Sequence, residues 1–298
     1  MSDPRVVVIP KPLDALPAPA GPLGDDPETR AIATRLTLAR EEHAASTATL
    51  RTLFAARWPD ARWLETPSRA VLADADLVVT IGGDGTFLTV ARHVDRTPIL
   101  GINSSPSTSV GHYCGATART VEAMLEAALS GALTPTPLTR IRAWIDGAEL
   151  PYEALNDVLF AHRVPVASTR YALRVFADDP TDATHLAPRH ELQLSSGIWV
   201  ATAAGSTAAI RSAGGVVLPI TDPRLQWRVR EPFIRDGVVL DLKGGLTEQP
   251  IDIVSRSDRN ALFLDGHPEP WTVPFGGRAR LERSPRPLFA YLDALPRL

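Results

Sequence analysis

One cysteine, Cys114, stands in a chain of 298 residues. A disulfide framework within the chain is thereby excluded, and the single thiol fits a reducing compartment, so the cytoplasm is the expected location. No Cys/His cluster has metal-ligand spacing, so no resident metal is expected. Lysine is nearly absent, with only Lys11 and Lys243 among 31 basic residues. Set against 34 acidic residues, this leaves a formal charge of −3, so no global field invites nucleic acid or an anionic membrane. Any phosphate site must be local. Nothing reads as a secretory leader or a membrane span: Met1-Ser2-Asp3-Pro4-Arg5 runs straight into a short apolar segment.

What is present is an ordinary globular composition, 44% hydrophobic, with length for one large domain or two of common size. Val6–Ile9, Leu77–Ile81 and Pro98–Ile102 are short apolar runs of the kind that form buried parallel strands. Between them, Pro27–Trp58, Thr86–Val94 and Val121–Leu129 carry apolar residues at helical spacing, while Pro10–Pro22 reads as a loop. Strands alternating with helices predict an α/β domain with a parallel sheet over residues 1–131. After Gly131 the pattern changes to strand-like runs at 141–145, 150–160, 171–176, 191–195, 198–202, 238–242, 251–254 and 261–264. Asp146-Gly147 and Asp265-Gly266 mark hairpin turns, and Gly205–Ala213 is the one short helix expected here. Residues 132–298 are therefore expected to form an all-β, sandwich-like domain, whose last residues can pack back on the first.

Leu77–Ile81 ends in Gly82-Gly83-Asp84-Gly85-Thr86, a small-residue turn before a helix start. Glycines there let backbone N–H groups approach an anion, and the helix end adds favourable partial charge. The run is not a Walker loop, since no Gly-Lys-Ser/Thr follows, and it lacks the third glycine of a dinucleotide fingerprint. The acid within the cradle sets it apart. A carboxylate beside phosphates is repelled, unless it orients and deprotonates an attacking hydroxyl or holds a divalent cation. A turn Asp that caps the next helix is the bland alternative. Asn156-Asp157 reads either as a clamp for ribose hydroxyls or a carboxamide, or as a polar strand end. Gly205-Ser206-Thr207 reads as a ligand-facing helix start or as an ordinary cap. His112 and Cys114 read as packing or capping groups; Arg228 and Arg230 face phosphates or solvent.

The glycine turn resembles the signature shared by NAD kinases, ATP-dependent phosphofructokinases and diacylglycerol-kinase-like lipid kinases. Ala154-Leu155-Asn156-Asp157-Val158 and Ala201–Ala209, followed by Ser212-Ala213-Gly214-Gly215, resemble the second and third motifs of NAD kinases in family order. Gly101–Pro106, Ser109–Cys114, Ser195-Ser196-Gly197 and Leu225–Pro232 extend the similarity to the plant NADH-kinase and animal mitochondrial NAD-kinase branch, over roughly residues 77 to 275. Ala203, Ala204 and Ala209 depart from the commoner Pro, Thr and Tyr, so no contacts are carried over to those positions.

The resemblance implies phosphorylation of the adenosine ribose 2′-hydroxyl of NAD or NADH by ATP with Mg²⁺. Asp84 is then catalytic, Gly82, Gly83, Gly85 and Thr86 meet ATP phosphates, and Asn103, Asn156, Asp157, Gly205, Ser206, Thr207, Ala208 and Ser212 hold the dinucleotide. A homodimer or larger homo-oligomer is implied as well. A lipid kinase would want a basic or amphipathic membrane face, and a non-catalytic dinucleotide binder would have lost Asp84.

Overall fold

The computed structural model describes residues 4–18, 26–176, 189–234 and 240–292. Two compact units emerge: residues 1–137 with 288–298, and residues 138–287. The boundary falls after Pro137 rather than near Gly131, because Gly131 ends only a helix and the next strand still belongs to the first sheet.

The first unit opens with β1 (Val6–Pro10), almost wholly Val and Ile and buried on both faces, as a central parallel strand must be. Helix α1 (Pro27–Arg57) follows; Asp26 caps it by accepting from Thr29 N–H at 2.8 Å, and Pro27 occupies the first turn, where its missing N–H costs nothing. Next come β2 (Arg62–Trp63), α2 (Arg69–Ala73), β3 (Leu77–Gly82), α3 (Asp84–Ala91), β4 (Ile99–Asn103), β5 (Cys114–Thr117), α4 (Val121–Leu129) and β6 (Thr136–Leu138). Strands lie in the order β2–β1–β3–β4 and pair in parallel. Val6, Val8, Val79 and Ile81 turn toward Leu50 and Phe54 of α1 and Leu125 of α4, forming one core. Val7, Ile9 and Val78 are equally buried on the opposite face. The α/β reading with a parallel sheet holds. Helix α3 begins at Asp84, two residues earlier than the sequence spacing predicts, because Gly83 is already its cap.

Among its described residues, the second unit is all-β apart from a 3₁₀ turn and one turn of α-helix. Its elements are β7 (Ile141–Ile145), β8 (Ala148–Glu149), β9 (Asp157–His162), β10 (Thr169–Val175), β11 (Arg189–Ser195), β12 (Ile198–Ala201), α5 (Ala209–Ser212), β13 (Leu225–Val229), β14 (Gly244–Thr247), β15 (Ile251–Ser255), β16 (Asn260–Leu264), β17 (Trp271–Val273) and β18 (Arg278–Arg283). Two antiparallel sheets form, in the orders β11–β10–β15–β18–β7–β8 and β14–β13–β12–β9–β16–β17. Tyr171, Leu173, Ile253 and Leu281 of one and Phe160, Ile198, Val200 and Leu262 of the other share a single core, the signature of a sandwich.

Three expectations shift. Asp146-Gly147 does turn a hairpin, with φ of 50° and 85°, but its second strand is only β8; the chain then runs irregularly until Asp157. Pro151 cannot donate to a ladder, and the N–H groups of Leu155 and Asn156 go to Asp265 instead. Of the expected strand 238–242, residues 238 and 239 lie outside the described residues, and 240–242 are not strand; β14 starts at Gly244. The short helix near 205–213 is a 3₁₀ turn, Ala204–Thr207, followed by α5, with a break at Ala208.

The chain ends its described course by rejoining the first sheet. Strand β19 (Leu288–Tyr291) lies between β4 and β6 and pairs with β4 in parallel. It takes the Ile99–Leu100 half of that edge of β4, and β5 takes the Gly101–Asn103 half.

Candidate active site

Strand order locates the first unit's site. From β1 the chain goes outward to β2, then returns to the other side of β1 as β3. Ligand crevices in such sheets open beyond the carboxyl ends of the strands flanking that reversal, here β1 and β3. A cavity of about 540 Å³ lies there, lined by Pro10 and Lys11 after β1, by Gly82 through Thr86 after β3, and by Asn103–Ser105 after β4. Asn103, at the end of β4, thus sits one strand beyond the reversal.

Each glycine of the turn has its own reason. A Cβ at Gly82 would stand 2.2 Å from the Thr86 hydroxyl, which folds back over it, and one at Gly83 would press Ser109 at 3.1 Å. At Gly85 a Cβ would meet nothing within 4 Å. No packing among the described residues therefore demands glycine at 85, whereas close approach of a ligand to the first turn of α3 would.

Asp84 does not cap its own helix. Its carboxylate accepts from the backbone N–H groups of His112 (3.0 Å) and Tyr113 (2.8 Å), one on each oxygen. A carboxylate has about four acceptor sites, so two such bonds fix its plane and leave capacity for a hydroxyl. The role of His112 is carried by its main chain. Cys114 is buried at the start of β5, as a small apolar residue would be. Asn103 is also occupied: its amide accepts from Ser105 N–H (3.1 Å) and donates to Ser109 O (2.9 Å), folding the 104–113 loop that delivers those N–H groups. Gly111, at φ 63°, packs on that same side chain.

Helix α1 braces the loop from behind. His43 Nε2 lies 2.9 Å from Lys11 O, and a carbonyl only accepts, so Nε2 carries the proton and Nδ1 accepts from the Ser104 hydroxyl at 2.7 Å. Burial holds the His43 pKa below its ordinary range. Glu42 accepts from the Ser105 hydroxyl at 2.7 Å, and these serine contacts lower its pKa. Burial lowers the Lys11 pKa too. Nothing in the spacing along the chain marks His43 or Lys11.

The second unit gathers the other motifs. Asp265, in a left-handed turn at φ 46°, accepts from the N–H groups of Leu155 (2.8 Å), Asn156 (2.8 Å) and Asp157 (3.1 Å). Sequence patterning reads Asp265 only as a hairpin residue. Gly205 packs directly on Asn156, where a Cβ would stand 2.1 Å from its carbonyl oxygen. Thr202 completes the joint by donating through its N–H to Asn156 O (2.9 Å) and accepting from Gly205 N–H (3.1 Å). The second and third motifs are thus one structure. Asp157 is buried, and burial first, then the nearby Asp265, push its pKa up to about 7.

Other expected contacts are taken up internally. Ser206 is fully buried; its hydroxyl donates to Ala203 O (2.7 Å) and accepts from Leu218 N–H (3.0 Å). Thr207 and Ser212 are exposed and Ala208 is half-buried. Arg228 donates to Ala213 O at 3.0 Å and lies against Gly214, and Arg230 sits 5.8 Å over the Trp199 ring.

Residues 28–133 match the family model described as ATP-NAD kinase N-terminal domain. A rice protein named "Probable NADH kinase" is 37% identical over 65% of this chain and 63% of its own length, and the NADH kinase of Arabidopsis thaliana 33% over 65% and 66%. The chain thus spans just under two thirds of those plant relatives. An NAD kinase of the archaeon Halorubrum lacusprofundi is 33% identical over 75% of this chain and 80% of its own. Among solved structures, an NAD kinase from Archaeoglobus fulgidus in complex with ATP aligns over 97% of this chain and 94% of its own, with TM-score 0.66 and 22% identity. Yeast NADH kinase complexed with NADH aligns over 98% and 84%, with TM-score 0.70 and 16% identity. These two likenesses establish a shared fold.

Proposed function

Because the chain belongs to the NAD kinase family, we propose that it transfers the γ-phosphoryl group of ATP to the 2′-hydroxyl of the adenosine ribose of NAD or NADH. The bond from the ribose 2′-oxygen to the γ-phosphorus forms, the bond from that phosphorus to the β-bridging oxygen breaks, and ADP leaves with NADP or NADPH. The observation that carries this reading is an acid set inside a glycine-rich anion cradle, with both carboxylate oxygens held in place by backbone N–H groups.

A ribose hydroxyl is a weak acid, so Asp84 orients the attacking oxygen and accepts its proton late, as a loose phosphoryl-transfer transition state allows. The turn 82–86 receives the phosphates on backbone N–H groups at the start of α3. Asn156 and Asp157 hold the dinucleotide; with its pKa near 7, Asp157 can present either a donor or an acceptor to a carboxamide or hydroxyl at neutral pH. The buried Ser206 hydroxyl keeps the 203–218 segment in shape, and of the expected contacts in that segment Thr207, Ala208 and Ser212 are the ones left open to a ligand. No group of three or more His, Cys, Asp or Glu side chains among the described residues is arranged to hold a metal. Asp84 and Glu65 are the acids that line the cavity of the glycine turn, and a divalent cation such as Mg²⁺ carried in on the donor's phosphates would meet them there and would supply charge neutralisation.

The decisive assay combines purified protein with ATP and NAD or NADH, NADP(H) being read by a coupled dehydrogenase. Absence of NADP(H) from both acceptors with a folded protein would sink the proposal. The similarity to NADH kinases makes reduced dinucleotide the acceptor of interest, and a kcat/KM favouring NAD by about tenfold would refute that preference. The enzyme is further proposed to work as a homodimer or larger assembly, to be checked by light scattering.

A further inference from the structure

Lys11 follows β1 directly, at the point where the sheet changes direction. Its backbone is pinned on both sides: the N–H donates to Ile81 O at 2.8 Å, and the carbonyl accepts from His43. Lys11 lines the cavity that holds the glycine turn, and also a neighbouring one that shares Pro10, Pro12, His43 and Glu65 and reaches Arg51. Asp14, Glu65 and Asp84 are the acids lining these walls, yet among the described residues none forms an ion pair with Lys11. Arginines nearby are spent otherwise: Arg40 donates to the carbonyls of Leu13 and Leu16, Arg35 to that of Thr108, and Arg51 lies 4.3 Å over the Trp63 ring.

A half-buried ammonium with no counter-ion among the described residues is a cost to the fold, and burial accordingly lowers its proton affinity. A methionine would fill the same space without that cost. The unpaired charge makes sense once an anion enters the cavity. We propose that Lys11 receives the terminal phosphate oxygens of the nucleoside triphosphate donor, as the side-chain cation that complements the backbone N–H groups of the glycine turn. This rests on the phosphotransfer reading given above. Lysine suits that role, because a compact ammonium with three rotatable donors can follow an oxygen that moves as the γ-phosphoryl group departs, where a guanidinium fork would fix one geometry.

Substitution of the side chain leaves the pinned backbone bonds intact, so the variants Lys11→Met and Lys11→Arg should fold. Binding of ATP with a divalent cation is measured by calorimetry, and KM for ATP and for NAD(H) by the coupled assay. For Lys11→Met we expect ATP affinity to fall and KM for ATP to rise by about tenfold or more, with KM for NAD(H) within about twofold of wild type. Its Tm should stay equal or rise, since an unpaired buried charge is removed, and Lys11→Arg should recover part of the ATP affinity. ATP affinity of Lys11→Met within about twofold of wild type, a shift in KM for NAD(H) instead of ATP, or a large fall in Tm would each overturn the assignment. Failure of wild-type protein to make NADP(H) would instead sink the kinase reading, while the calorimetric comparison would still report on Lys11.

Discussion

At Asp84 both carboxylate oxygens are engaged by the N–H groups of His112 and Tyr113, so the residue serves the loop as well as the chemistry proposed for it. Asparagine keeps one acceptor for those N–H groups and loses the basicity. Asp84→Asn is therefore expected to keep its fold and to lose activity by about 10²–10⁴. Turnover within about threefold of wild type would remove Asp84 from the mechanism. Asp157 makes a prediction about stability. Its carboxyl titrates near 3.8 when unperturbed and near 7 in the fold, so between those values the folded state holds more protons than the unfolded chain. Stability from this group is full below the lower value and declines as pH rises to about 7, then stays flat. Asp157→Asn should therefore gain on wild type as pH rises from 4.5 to 8, ending more stable by on the order of a few kcal/mol. A gap in urea-unfolding free energy that does not widen across that range would show that the penalty is absent.

Elements rather than single residues explain why the acid is held where it is. Helix α1 grips the loop after β4 through His43 on Ser104, Ser46 on Ser104 O and Glu42 on Ser105, and that loop grips Asp84. Because burial lowers the folded pKa of His43 below its usual 6.5, its contribution is full above that value and is lost as pH falls, when only the unfolded chain accepts the proton readily. The Tm of His43→Gln should therefore gain on that of wild type as pH falls from 7.5 to 5, the comparison cancelling groups such as Asp157 that titrate in the opposite sense. Parallel slopes in the two would dismiss the brace as a pH-sensitive joint. The elements of this unit were unequally legible in the sequence. Strands β1, β3 and β4 are unbroken apolar runs because each is buried along almost its whole length, and α1 and α4 show helical spacing where each lays one face on the sheet, α1 through Leu50 and Phe54. Strands β2 and β19 are two and four residues long, too short for any periodicity, and exist because a neighbour offers them an edge. The same holds at the site. The glycine turn is written in consecutive residues, but Lys11, His43, Asp84 and Ser104 meet only through crossovers, and Asp265 reaches 155–157 only because Val158 pairs with Leu264 across β9 and β16.

For the molecule as a whole, the two-part organisation follows from the change of pattern after α4, while the return of the chain to its starting sheet leaves almost no trace in composition. That return can be tested by one substitution. Ala290 is fully buried in β19, and an aspartate there would place a carboxylate in a closed sheet without a partner. Ala290→Asp should cost at least about 3 kcal/mol, seen as a loss of soluble yield or a lower calorimetric transition. A transition within about 2 °C of wild type would mean that β19 contributes little to the first sheet. Domains of a growing chain commonly fold in order of synthesis. Here the first unit cannot finish in that order: the Ile99–Leu100 edge of β4 stays unpaired until residues 138–287 have been made and Leu288–Tyr291 emerges. During that interval an apolar strand edge is open to any other nascent chain. The rate at which a ribosome traverses the second unit, and the crowding of neighbouring polysomes, thus become determinants of how much active protein a cell obtains.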